Sequence, residues 1–266
     1  MRTRPLDLLA PKQDIPRGAY LLISTSTVLL IAVIWCCLSY GGFVRDIFLP
    51  TPGAVVTAAA KGISDGTLFT NTFTSIAEVF SGFLLASLIA LPLGIFMGSF
   101  KSVEAAIEPV VNFFRYLPVS ALIPLLILWI GIGFEQKVAV IFIGTFFQQL
   151  ILFADVSRRV SKDLLDVAYT LGARRTTVVS RVLMPATMPG VMDTLRITLG
   201  WAWTYVVTAE LIASDKGLGY YVLNSMRGLL TEQMFVGVFT IGFLGLLFDQ
   251  IFKLLKSSLL PWTSER

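Results

Sequence analysis

Histidine is missing from all 266 residues. That excludes histidine general bases, histidine-ligated metals and histidine pH switches. Charge is scarce as well. Asp, Glu, Lys and Arg make up 14% of the chain, where soluble domains run near about 25%. Hydrophobic residues make up 55%, and the mean hydropathy is +0.78. This is the balance of a chain that lives in a bilayer. The only two cysteines, Cys36 and Cys37, are adjacent within an apolar run. Neighbours on a helix point apart, which argues against a mutual disulfide or a metal clamp and leaves them as apolar filler. Neither GxxxxGK followed by Ser or Thr nor GxGxxG occurs, so the chain brings no nucleotide-binding loop of a known kind. No nucleophile–base pair or metal-ligand cluster stands out, which weighs against an intramembrane enzyme.

What is present is a series of apolar runs. Residues 1–19 are short, polar and basic, and residues 20–40 then pass without a charge. A signal peptide's apolar region is about 7–15 residues and a bilayer needs about 20, so this reads as an uncleaved first span behind a cytoplasmic N-terminal segment. Further spans fall at about 75–100, 116–134, 137–154, 191–213 and 233–255, with a polar insert at 155–190. The second carries Gly82, Gly94 and Gly98, small residues that let helices approach in lipid. The third is broken by Pro118 and Pro124, which predicts a kinked helix facing protein. Between the second and third, residues 103–117 mix Glu104, Glu108, Asn112 and Arg115 with apolar residues and read as interfacial. Thr51 is placed to cap a short helix whose first residue is Pro52 and which stops near Gly62, a docking ledge or a plain connector. With the N-terminus inside, 16 of the 21 Lys and Arg residues lie on the inner side. The five on the outer side are Arg45, Lys61, Lys137, Lys216 and Arg227. This positive-inside bias puts both termini and the 155–190 insert in the cytoplasm.

Within that insert, residues 166–185 read DVAYTLGARRTTVVSRVLMP. Leu164, Ala168 and Leu171 fall on one helical stripe, and Gly172 follows where a helix stops on positive φ. A second short helix carries Val178, Val179 and Val182 among Arg174, Arg175 and Arg181, with Pro185 expected to end it. The spacing of Asp166, Val167, Ala168, Gly172, Val182, Met184 and Pro185 resembles the E-A-A, G, I, L-P coupling motif of ABC importer permeases. Asp, Val, Val and Met replace Glu, Ala, Ile and Leu. From 49 to 262 the chain is similar to the nitrate/sulfonate/taurine/bicarbonate class of those permeases. The matching stretches are LPTP at Leu49, FRYLP at Phe114, LILWIGIG at Leu126, LRITLGWAW at Leu195, AEL at Ala209, GLGY at Gly217 and IGFLGLLFD at Ile241. Residues 117–125, LPVSALIPL, depart from the commoner IPPLAWIPL.

The resemblance implies an all-α integral membrane protein, a six-span MetI-like bundle occupying residues 20–266 as one permease domain in the inner membrane. It implies a permease subunit and no enzyme. Asp166, Ala168, Gly172, Ala173, Val182, Met184 and Pro185 would form the coupling loop. It also implies two copies of an ATPase subunit that bind ATP and Mg, a second permease making a homodimer or heterodimer, and an extracytoplasmic solute-binding protein. The chain itself would hold no cofactor and no nucleic acid. The solute would be a small anion of the nitrate, sulfonate, taurine or bicarbonate kind. The departure at 117–125 keeps a guanidinium, urea or amine solute open, and a self-sufficient secondary carrier or channel is the alternative of another class.

Polar groups in spans are costly and face protein or water, so they mark the candidate translocation path. Gln148 and Gln149 should place at least one carboxamide inside, bonding between helices more readily than touching solute. Trp201 and Trp203 read as packing before gating. Glu210 could meet a cation, an outer gate or interfacial water. Arg115 is the cation best suited to an anion path, although an ion pair with Glu104 or Glu108 competes for it. Asp249 should meet a basic neighbour or water.

Overall fold

The computed structural model describes residues 15–263. Most of the basic N-terminal segment, residues 1–14, lies outside them, as does Arg266. The described chain is helical: α1 (Arg17–Tyr40), α2 (Pro52–Ser64), α3 (Thr67–Ser99), α4 (Lys101–Arg115), α5 (Val119–Ile130), α6 (Phe134–Arg158), α7 (Lys162–Thr170), α8 (Arg175–Val178), α9 (Met184–Ile212), α10 (Leu218–Arg227) and α11 (Thr231–Leu259). Among the described helices α1, α3, α6 and α11 are long and apolar enough to cross a membrane, and the bent pair α4–α5 makes a fifth candidate. The remaining expected span, residues 191–213, falls on α9, which is 29 residues long but carries Asp193, Arg196 and Glu210 and is not among the apolar set. Its surroundings account for this. It packs on α3, α5, α6, α10 and α11, so little of it needs to satisfy lipid.

α3 and α6 form the spine. Along α3 a small residue recurs every fourth position: Gly82, Ala86, Ala90, Gly94 and Gly98. A Cβ on Gly94 would stand 2.7 Å from the Leu150 carbonyl oxygen and 2.6 Å from Phe153 Cβ. The bare stripe therefore sets the spacing, and dispersion between close backbones holds the pair. One buried cluster, around Phe83, Ile141, Trp203, Val206 and Leu218, joins α3, α6, α9 and α10. A second, around Met97, Leu150, Phe153 and Val191, fills the other end. α1 stays at the edge. Its Trp35 indole donates to the Pro50 carbonyl at 3.0 Å and packs on Phe235 and Phe239.

Two expectations change at prolines. At Pro118 the break is sharper than a kink: α5, the helix within the expected third span, leaves α4 at 93°. Pro118 offers no N–H and disfavours a helical Leu117, so the chain turns there. The 12 residues of α5 cover only about 18 Å, short of the roughly 30 Å of hydrocarbon. At the other place, Pro185 does not end the helix that precedes it. A π-helical turn over Val179–Leu183 links α8 to α9 without a break. The wider turn absorbs the bond that Pro185 cannot donate and relieves its ring against the preceding turn. The helix at Thr51 forms as expected, with Thr51 Oγ1 accepting from Ala54 N–H at 3.2 Å. It runs past Gly62 to Ser64.

Candidate functional site

A groove of about 410 Å³ opens where the α4–α5 corner meets the middle of α6 and α9. The corner supplies Arg115, Tyr116 and Ser120. α6 supplies Val140, Ile143, Gly144, Phe147 and Gln148, and α9 supplies Thr204, Tyr205 and Thr208. The spacings 140, 144, 147 and 204, 208 are those of single helix faces. Gly144 leaves the room that the Tyr205 ring fills, since a Cβ there would lie 2.6 Å from it. No Asp or Glu is in the lining, and Arg115 is its one charged side chain. The Arg115 guanidinium donates to Tyr116 Oη at 2.7 Å and lies 4.6 Å from the centre of that ring. Its Nε is buried without a partner. The competing ion pair with Glu104 does not form. Glu104 is held by Lys101 at 2.6 Å and by Arg158 at 2.8 Å, and Arg115 makes no ion pair among the described residues.

The other candidates separate. Gln148 lines the groove while Gln149 is fully buried. Gln149 Nε2 donates to Ser87 Oγ at 2.9 Å and to Thr198 Oγ1 at 3.1 Å, tying α6 to α3 and α9. Trp203 is buried and stacks on Phe248 with ring centres 6.0 Å apart. Trp201 is partly exposed, and neither tryptophan reaches the groove. Asp249 meets two basic partners, Arg196 and Lys253.

Glu210 belongs to a separate buried cluster. Its carboxylate accepts from Ser75 Oγ and from the Gly219 N–H. Asn71 Oδ1 accepts from Gly217 N–H and Ser75 Oγ from Leu218 N–H, each at 2.8 Å. The start of α10 is thus capped by side chains of α3 and α9, in place of the water its free N–H groups would otherwise need. Gly217 sits at φ +110, and any Cβ on it would collide with the Glu210 carboxylate. That contact gives the AEL and GLGY stretches one physical reason. Beside them Lys137 Nζ pairs with Glu78 Oε1 at 2.8 Å, both groups buried. Lys137 is therefore held inside the protein and not in solvent. Asn71, Ser75 and Glu78 were not singled out from sequence, though their spacing along one helix face was a legible signal. Ser120, Thr204 and Thr208 gave none, because lone hydroxyl residues are common in apolar helices.

The insert at 155–190 folds as a capped hairpin. Ser161 Oγ accepts from Asp163 N–H at 3.2 Å at the start of α7. Gly172 ends it at φ +82. Ala173 N–H reaches back to the Ala168 carbonyl at 3.0 Å and Gly172 N–H to the Tyr169 carbonyl at 2.9 Å, the paired bonds of a left-handed helix stop. No residue of α7 is buried, and Leu171 is 82% exposed. Asp166 and Ala168 lie on this open helix, Ala173 in the turn and Val182, Met184 and Pro185 on the continuous stretch behind it.

Residues 90–261 match the family described as "Binding-protein-dependent transport system inner membrane component". A Brucella melitensis protein named as an ABC transporter permease is 37% identical over 81% of this chain and 88% of its own length. A Bacillus subtilis protein named for aliphatic sulfonates transport is 33% identical over 88% of this chain and 84% of its own. The formylaminopyrimidine transport permease protein of Halalkalibacterium halodurans is 28% identical over 94% and 99%. Among solved structures, a chain of the inward-facing MetNI methionine ABC transporter superposes with a TM-score of 0.56 at 20% identity, covering 70% of this chain and 96% of that one. The bundle is thus of the same fold. The chain belongs to the binding-protein-dependent transport system inner membrane components: it is the multi-pass permease subunit of an ABC importer in the inner membrane, and no enzyme.

Proposed function

We propose that this subunit moves a small organic or inorganic anion of the sulfonate, taurine, nitrate or bicarbonate kind, delivered by an extracytoplasmic solute-binding protein. Two copies of a separate ATPase, which hold the ATP and Mg, drive it, and a second permease, a copy of this chain, completes the complex. The observation that carries the solute class is the groove, whose only charged side chain is a cation and whose acids number none. A guanidinium or amine would meet Arg115 as a like charge there, which argues against the cationic alternative. A formylaminopyrimidine-like solute would leave Arg115 unmatched.

The drive enters through the hairpin. Helix α7 and its turn, with Asp166, Ala168, Gly172 and Ala173, offer an unburied amphipathic face to a groove on the ATPase. Val182, Met184 and Pro185 continue it into α9, which touches most of the bundle. Because α8, the π turn and α9 form one unbroken rod, a push at the hairpin becomes a tilt of α9. A bistable bundle and a stiff lever are what alternating access requires. Purification from native membranes tests the partnership. An ATPase and a solute-binding protein should accompany the chain, and loss of the ATPase on mutation of Leu164 and Leu171 to Asp should follow. A chain that purifies alone and transports would contradict it.

A further inference from the structure

Resting on the importer reading, which places the 155–190 insert in the cytoplasm, we infer that the gap between that insert and the end of α3 is a site for an anionic phospholipid of the inner leaflet. The gap holds about 600 Å³. It is lined by Phe96 and Phe100 at the end of α3, Tyr169 of α7, Arg175 and Thr176 of α8, and Val179 of the π turn. One wall is apolar. Phe96 and Phe100 stack with ring centres 5.9 Å apart, and both keep much of their surface exposed. They stand where the chain leaves the hydrocarbon, since α3 is apolar enough to cross a membrane and the exposed Lys101 follows directly. The facing wall is polar. Arg175, the Thr176 hydroxyl and the Tyr169 hydroxyl make no ion pair or side-chain hydrogen bond among the described residues. No Asp or Glu lines the gap.

The two walls together choose the occupant. Three unengaged donors with no acid beside them call for an anion, and a guanidinium takes phosphate oxygens two at a time. The stacked rings call for a hydrocarbon chain attached to that anion. A free phosphate would satisfy the donors and leave the rings wet. A choline lipid would bring its own cation beside Arg175, with no carboxylate to receive it. An anionic phospholipid meets both walls, and the cytoplasmic leaflet supplies such lipids to basic groups at its surface. The stripe of Leu164, Ala168 and Leu171 offered to the ATPase is not part of the lining, so lipid and ATPase can be held together. α7 and α8 pack on each other and on the π turn; a lipid in the gap joins that lever to the spine helix α3.

The test is native mass spectrometry of the purified complex with its ATPase, titrated with phosphatidylglycerol and phosphatidylcholine of identical chains. The wild type should hold phosphatidylglycerol about tenfold more tightly than phosphatidylcholine. Arg175→Gln should lose that preference and Arg175→Lys should keep part of it. Arg174→Gln, which removes the same charge one residue outside the lining, should match the wild type. Phe96→Ala combined with Phe100→Ala should weaken both lipids alike. An undiminished preference in Arg175→Gln, or an equal loss in Arg174→Gln, overturns the site. Displacement of the lipid by glycerol phosphate, which carries the charge without the chains, overturns the lipid in favour of a soluble phosphate. Loss of the ATPase subunit from the Arg175→Gln complex gives the gap to the ATPase and overturns the proposal as well. Absence of ATP-driven uptake by the wild-type complex in proteoliposomes overturns the importer reading instead.

Discussion

Gly172 is the residue at which the coupling account makes its sharpest demand. It holds φ +82, and an added Cβ would find no atom within 4 Å. A side chain there meets no steric obstacle, so the whole cost is conformational. The left-handed region costs a non-glycine residue roughly 1–2 kcal/mol, less for Asn and most for a β-branched residue. Gly172→Asn should therefore cost a few tenths of a kcal/mol, Gly172→Ala about 1 and Gly172→Val about 2. Because α7 buries nothing, this cost stays in the hairpin and does not reach the bundle. If the free hairpin is only marginally ordered and the ATPase grips the native turn alone, its apparent affinity falls by as much as the turn costs. At about 1.4 kcal/mol per tenfold, that gives less than about twofold for Asn, about fivefold for Ala and about thirtyfold for Val. Reconstituted complexes at limiting ATPase concentration, assayed for ATP-driven uptake and ATPase retention, read the series directly. Thermal unfolding of the detergent-solubilised permease should be the same for all four. Uptake by Gly172→Val within twofold of wild type, or a series out of order, would refute the reasoning.

The spine and the buried pair give two further tests. Gly94→Leu places atoms where α6 backbone already stands, and overpacking of this kind costs about 1–3 kcal/mol or more; thermal unfolding should show a marked loss, with Gly200→Ala, which has open space around it, as the silent control. Lys137→Met leaves the buried Glu78 carboxylate alone and should destabilise by about 3–5 kcal/mol, whereas Lys137→Met with Glu78→Met should recover most of that. A double variant no better than the single one would show that the pair does more than satisfy itself.

How far the sequence reaches depends on whether a feature is local. The apolar runs, the capped helix at Thr51 and the stop at Gly172 follow from spacing within about 20 residues, and all are seen in the structure. Pro118 was legible as a break but its angle was not, because α6 and α9 decide where α5 lies. Pro185 was misread since a π turn leaves no mark that an ordinary proline stop lacks. Lys137 was counted among the outer-side cations from its place in the chain, which says nothing of its burial. Only Glu78, 59 residues upstream, explains its burial. Arg115 was recognised as a cation suited to anions, yet its freedom from Glu104 depends on Lys101 and Arg158 arriving first. The groove itself joins three separated segments, so its volume and lack of acid could not be counted from the chain.

The central claim is that a separate motor, gripping the cytoplasmic hairpin, does the work. The most direct measurement is uptake into sealed proteoliposomes containing the permease with and without its ATPase, binding protein and ATP present throughout. The account predicts accumulation against a gradient with the ATPase and none without it; concentrative uptake by the permease in the absence of the ATPase would contradict it.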